Sequence, residues 1–130
     1  MKCRDFYFRQ LVLSIGDIVY YVTGCEATYS IKKTRIVDIL TRTRGLGLHG
    51  LPKMDYTAYV TEDGQIIGNS FIVKRDEMSP DQVFLSKEES IQYIKECLRK
   101  EINRERHALL NAQERLAQAE RALKVYEKYG

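Results

Sequence analysis

The chain has 130 residues, 44% of them hydrophobic and 30% charged, which suits one modest core and the ordinary soluble range. A formal net charge of +3 supplies no global field that would demand a nucleic acid or an acidic membrane. No apolar stretch is long enough, or free enough of charge, for a signal or transmembrane segment, so a soluble cytoplasmic protein without membrane contact is expected.

Nine tyrosines and no tryptophan tilt the composition toward β-surfaces with polar-tipped aromatics. From Asp5 to Leu13 apolar residues are dense but lack helical spacing or a cap, which predicts an opening strand. Gly16-Asp17 turns the chain into Ile18-Val19-Tyr20-Tyr21-Val22, apolar on both faces as a strand covered on both sides should be. Ser30 to Thr43 reads as one long strand whose alternation changes phase between Arg35 and Val37. A β-bulge there would keep both apolar groups on the core side and bend the strand.

A Gly-rich connection, Arg44 to Lys53, leads to a half-buried strand through Tyr56, Ala58 and Val60. Glu62-Asp63-Gly64 is a hairpin signal, and the returning strand, Gln65 to Val73, carries Gly68 as a bulge and puts Phe71 and Val73 on one face. Ser79-Pro80-Asp81 is a further turn, followed by Val83-Phe84-Leu85 as a last short strand or helix lead-in. Five to six short strands closed by a single helix predict an α+β protein. It comprises a small SH3-like antiparallel β-barrel over residues 1–85, then one long C-terminal helix over 86–130.

The Gly16-Asp17 turn into Ile18-Val19-Tyr20-Tyr21, the β-rich middle, and Val83-Phe84-Leu85-Ser86-Lys87-Glu88-Glu89 leading into a helix resemble small phage and mobile-element proteins with SH3-like barrels. The resemblance covers Ile15 to Tyr21 and Gln82 to about Leu98, less than a third of the chain, and concerns fold rather than chemistry. It implies no catalytic residue, and the extension after Lys100 departs from it.

Gly45-x-Gly47-x-x-Gly50 spells a dinucleotide fingerprint, but Pro52 follows and strand pattern resumes at Tyr56, so no helix receives a phosphate and a plain loop is expected. The three cysteines, Cys3, Cys25 and Cys97, form no CxxC and stand at no ligand spacing from His49 or His107. Free thiols are therefore expected and a zinc site is not. The aspartates Asp17, Asp38, Asp55, Asp63 and Asp81 mostly hold turn positions, where they bond the local backbone. With no nucleophile placed beside either histidine, no catalytic residue and no cofactor is expected. Lys32, Lys33, Arg35, Arg42, Arg44 and Lys53 share one segment with a single acid, Asp38. If strand and loop form one edge they make a positive patch for a nucleic acid or another polyanion, or else a solvated strand face that discourages edge pairing.

The strongest signal is Ser86 to Tyr129, which contains no Gly or Pro. Ser86-Lys87-Glu88-Glu89 is a capping box, and Ile91, Ile94 and Leu98 form a stripe wide enough to lie on the barrel. Beyond it Ile102, Leu109, Leu116 and Leu123 recur every seven residues as heptad position a, with Glu105, Ala112, Ala119 and Tyr126 at d. So narrow a seam predicts a coiled coil, with Ile102, Leu109, Ala112, Leu116, Ala119, Leu123 and Tyr126 as the interface of a homodimer. Parallel and antiparallel pairing remain balanced: Glu101–Arg106 and Arg115–Glu120 attract in a parallel pair, while Ala at d permits the close approach of an antiparallel one. The expected function is that of a non-enzymatic interaction protein, phage or mobile-element encoded, that dimerises through its helix and binds or inhibits a host protein, with a nucleic-acid-handling or defence enzyme as one such target. The alternative is nucleic-acid binding through Lys32 to Lys53.

Overall fold

The computed structural model describes residues 10–45 and 53–129. Five strands, β1 (Ile18–Thr23), β2 (Ser30–Arg44), β3 (Met54–Thr61), β4 (Ile66–Gly68) and β5 (Val83–Phe84), precede one helix, α1 (Lys87–Glu127), with a single 3₁₀ turn at Pro80–Gln82. The strands form one sheet in the order β4-β3-β2-β1-β5, antiparallel throughout. The α+β class and the long helix agree with expectation. A closed barrel does not form: β4 has three residues and β5 two, too few to zip edge to edge. Met78 runs beside β4, its amide donating to the Ile66 carbonyl at 2.7 Å and its carbonyl accepting from the Gly68 amide at 3.0 Å.

β2 is the long strand the sequence predicts, and its bulge is real. Registry shifts between Ile36 and Asp38, leaving Val37 as the extra residue. The first half pairs with β1, from Ile18 opposite Arg35 to Thr23 opposite Ser30, and the second half pairs with β3. The bulge does not, however, keep both apolar groups inside. Ile36 is fully buried, whereas Val37, Ile39 and Leu40 stay substantially exposed, because the second half of β2 runs past the core.

Alternation along β1 feeds two cores. Val19 and Tyr21 face a cluster with Leu11, Leu13, Ile36, Tyr59, Ile67 and Val83, while Val22 faces a second one with Phe84, Tyr93 and Cys97 beneath α1. Coverage on both sides is what the apolar Ile18–Val22 run implied. The described part of the predicted opening strand, 10–13, is not a strand: Leu11 and Leu13 enter the core, but side chains hold their backbone. Asn69 accepts from the Leu11 amide at 3.0 Å and donates to its carbonyl at 2.8 Å, and the Tyr59 hydroxyl accepts from the Leu13 amide at 3.2 Å. These side-chain bonds stand in for a strand ladder.

β4 stops at Gly68 instead of reaching Val73. A Cβ at Gly68 would strike the carboxylate of Glu77, so glycine admits a buried acid rather than making a bulge. That carboxylate accepts from the Tyr56 hydroxyl at 2.6 Å and the Lys74 amide at 2.8 Å, and pairs with Arg42 at 3.0 Å. The chain leaves the sheet after Gly68 to deliver it, and Phe71 is left 70% exposed.

The capping serine of α1 is in place: the Ser86 side chain accepts from the Glu89 amide at 3.2 Å. The face laid on the sheet is Ser90, Tyr93 and Cys97, with Ile91, Ile94 and Leu98 only half-buried on its flanks. Two residues separate β5 from α1, and that short link sets the phase of the helix by bringing Tyr93 onto Phe84, ring centroids 5.2 Å apart. Cys97 is disulfide-bonded and Cys25 is a free, exposed thiol, so three free thiols are not what the fold contains.

Candidate functional site

The helix is anchored to the sheet over four turns and then leaves it. Near the end of that contact the Tyr29 hydroxyl, just before β2, donates to Glu101 at 2.6 Å. The bond to this carboxylate, with burial adding to it, pushes the Tyr29 pKa up to about 12. Beyond Glu101 the described residues of α1 are exposed, with Ala117 alone half-covered. The heptad leucines show it most directly: Ile102 is 49% exposed, Leu109 59%, and Leu116 and Leu123 60% each. At about 1.5 Å per residue the stretch from Ile102 to Tyr126 presents an apolar ridge of roughly 36 Å. Ala112, Ala119 and Tyr126 are exposed on the same seam, so all seven interface residues expected from the heptads share one uncovered face.

The β1–β2 loop lies against the beginning of this seam. Gly24, Glu26 and Ala27 all have left-handed backbones, with φ of 94°, 51° and 70°. Gly24 must be glycine, because a Cβ there would collide with the Thr28 carbonyl. Glu26 and Ala27 bear the strain that such a conformation imposes on side-chain-bearing residues, roughly 1–3 kcal/mol each. The result is an apolar hollow in which Ala27 faces Leu98, Ile102 and Leu109, with Glu105 and Arg106 at its rim. On the other side of the loop a polar cleft of about 370 Å³ is lined by Cys25, Tyr29, Asp81, Gln82, Glu101 and Arg104. Two of its groups already serve the fold, Tyr29 through Glu101 and the Gln82 amide through the Val22 carbonyl at 3.2 Å.

No protein-family model, curated protein or solved structure matches the chain.

Strand registry distributes the basic residues. Lys33 and Arg35 lie opposite Tyr20 and Ile18, and beyond the bulge Arg42 and Arg44 lie opposite Tyr56 and Met54. These four share one face of β2, the face on which Ile31 meets the core beneath α1, whereas Lys32, opposite Tyr21, points to the other side, and Lys53 precedes β3. Arg42 is held by Asp76 at 3.2 Å and by the buried Glu77 at 3.0 Å, so its charge is spent on the fold. His49, Gly47 and Gly50 lie outside the described residues, as does Cys3. Among the described residues no group of His, Cys, Asp and Glu is arranged to hold a metal, and no helix is long and apolar enough to cross a membrane.

Two arrangements were not anticipated from sequence. One is the Arg42–Glu77–Tyr56 network. The other is Asp63, which accepts from the hydroxyls of Tyr21, Thr34 and Thr61 and so ties β1, β2 and β3 together at the hairpin. Burial opposes its charge, but the bonds from Thr61, Tyr21 and Thr34 outweigh that and hold the Asp63 pKa below the ordinary carboxylate value. The sequence carried one faint signal for each: a glycine inside a strand pattern, and threonines at cross-strand positions around an Asp-Gly turn.

Proposed function

We propose that this is a non-enzymatic interaction protein that self-associates through the distal half of α1 and uses an open, SH3-like sheet to engage another protein. One observation carries the reading: in a single chain Ile102, Leu109, Leu116 and Leu123 are about half exposed or more. An isolated ridge of this kind has little reason to persist in water unless another surface covers it, and a heptad seam is met most simply by a second copy. Dimerisation would present two sheets to a partner. In the setting that the resemblance implies, a phage or mobile element, that partner is a host protein whose activity the dimer modulates.

Sedimentation equilibrium on the full-length protein tests this. A dimer at tens of micromolar is expected, and Leu109→Glu with Leu116→Glu should return it to monomer without loss of the near-ultraviolet circular dichroism of the tyrosines packed in the sheet domain. A wild-type monomer throughout that range would refute the proposal.

A second reading, nucleic-acid binding, draws on Lys33, Arg35 and Arg44 sharing one face of β2. Phosphate contacts predict a steep loss of affinity with salt, deepened by Lys33→Glu. No binding at low salt would dispose of it.

A further inference from the structure

We propose that the two helices pair antiparallel, and that Tyr126 of each copy fills the hollow between Ala27 and Leu98–Ile102 of the other. This rests on the dimer reading above and settles what the heptads alone leave balanced.

Three observations favour it. The first is packing volume. Antiparallel pairing opposes each a position with a d position of the second copy, which gives Ile102 with Tyr126, Leu109 with Ala119, Leu116 with Ala112 and Leu123 with Glu105. The two central leucines then meet alanines, so the interaxial distance can stay uniform through the middle of the seam, as close packing requires. Parallel pairing stacks leucine on leucine and alanine on alanine, alternately wide and narrow, and sets Glu105 directly against its own copy.

The second is the position of the β1–β2 loop. Ala27 lies beside the seam at the level of Leu98 and Ile102. In a parallel pair both loops would meet at that level and prop the helices apart. In an antiparallel pair the loop meets the end of the second helix, which stops at Glu127, one residue beyond Tyr126. Seam and helix are thus matched in length, and the strained left-handed backbone at Glu26 and Ala27 shapes the wall of the hollow that receives the tyrosine.

The third is charge. Glu101, which a parallel pair would set against Arg106, is bound to Tyr29 of its own chain. Antiparallel pairing instead brings Arg106 beside Glu120 of the second copy, twice by symmetry. On the flanks its unfavourable pairing is Arg115 beside its own copy near the midpoint, open to solvent.

That midpoint gives a test in which the two geometries predict opposite signs. At low salt, Arg115→Gln should tighten an antiparallel dimer about two-fold by relieving repulsion, and should loosen a parallel one, in which Arg115 faces Glu120. A direct ruler accompanies it: a spin label at Glu127→Cys, in a Cys25→Ser background that removes the exposed free thiol. With residue 127 opposite residue 101, the labels should stand about 40 Å apart in the antiparallel pair and under about 20 Å in the parallel one. A short distance, or a weaker Arg115→Gln dimer, overturns the antiparallel assignment while leaving dimerisation intact. A monomer by sedimentation in the same sample overturns both.

Discussion

Single side chains here do work that their positions in the sequence disguise. Asp63 stands in a hairpin turn, where an aspartate ordinarily bonds the local backbone, yet it receives hydroxyls from three strands. Because its folded pKa lies below the unfolded value of about 3.9, its contribution is complete above that pH and is lost as pH falls through the depressed folded value. Asp63→Asn should therefore cost about 1–2 kcal/mol at neutral pH and flatten the acid limb of stability, read as the urea midpoint between pH 6 and 2. Gly68 is the other case. Gly68→Ala puts a methyl where the Glu77 carboxylate sits and should break its bonds to Tyr56 and Arg42 together. A loss of roughly 2–4 kcal/mol in a denaturation experiment is expected, since it strands a buried charge.

At the scale of elements, what was legible and what was not divide along a physical line. The bulge in β2, the capping serine at Ser86, the Glu62–Gly64 turn and the two-sided burial of β1 all follow from local pattern and agree with the structure. Contacts across the fold were not readable: the strapping of Leu11 and Leu13 by Asn69 and Tyr59, the early end of β4, and the rotation of α1 onto Ser90, Tyr93 and Cys97. Hydropathy favoured Ile91, Ile94 and Leu98 for that face, but a two-residue link from β5 set the helix phase, and Tyr93 met Phe84 instead. The anchoring claim predicts that Phe84→Ala, which empties a fully buried site under the helix, costs about 3–5 kcal/mol. If the sheet alone held the molecule together, the loss would be well below that. The seam residues were visible in the sequence because heptad spacing is local, whereas the hollow beside them was hidden because Ala27 reaches it from a loop some 70 residues away in the chain.

Across the whole molecule, three tyrosine–carboxylate bonds fasten parts that the sheet ladder does not. Tyr21 joins β1 to the β3–β4 turn through Asp63, Tyr29 joins the start of β2 to α1 through Glu101, and Tyr56 joins β3 to the segment before the 3₁₀ turn through Glu77. Each hydroxyl must keep its proton to donate. Burial first and the acid second raise Tyr21 and Tyr56 to about 12, and for Tyr29 the bond to Glu101 leads. A folded value above the unfolded value near 10 means that the stabilisation is whole below pH 10 and disappears as pH rises toward 12. Followed by absorbance near 295 nm, Tyr21, Tyr29 and Tyr56 should then ionise late and only as the fold opens. The urea midpoint should fall over the same interval. Replacing Tyr21, Tyr29 and Tyr56 by Phe would lower stability at neutral pH but remove most of that alkaline slope. Tyr29→Phe alone should also quicken amide exchange in the α1 turn around Glu101, where the helix parts from the sheet. An unchanged alkaline slope in the triple variant would show that these bonds do not hold the fold, and the anchored length of α1 would then rest on the packing of Ser90, Tyr93 and Cys97.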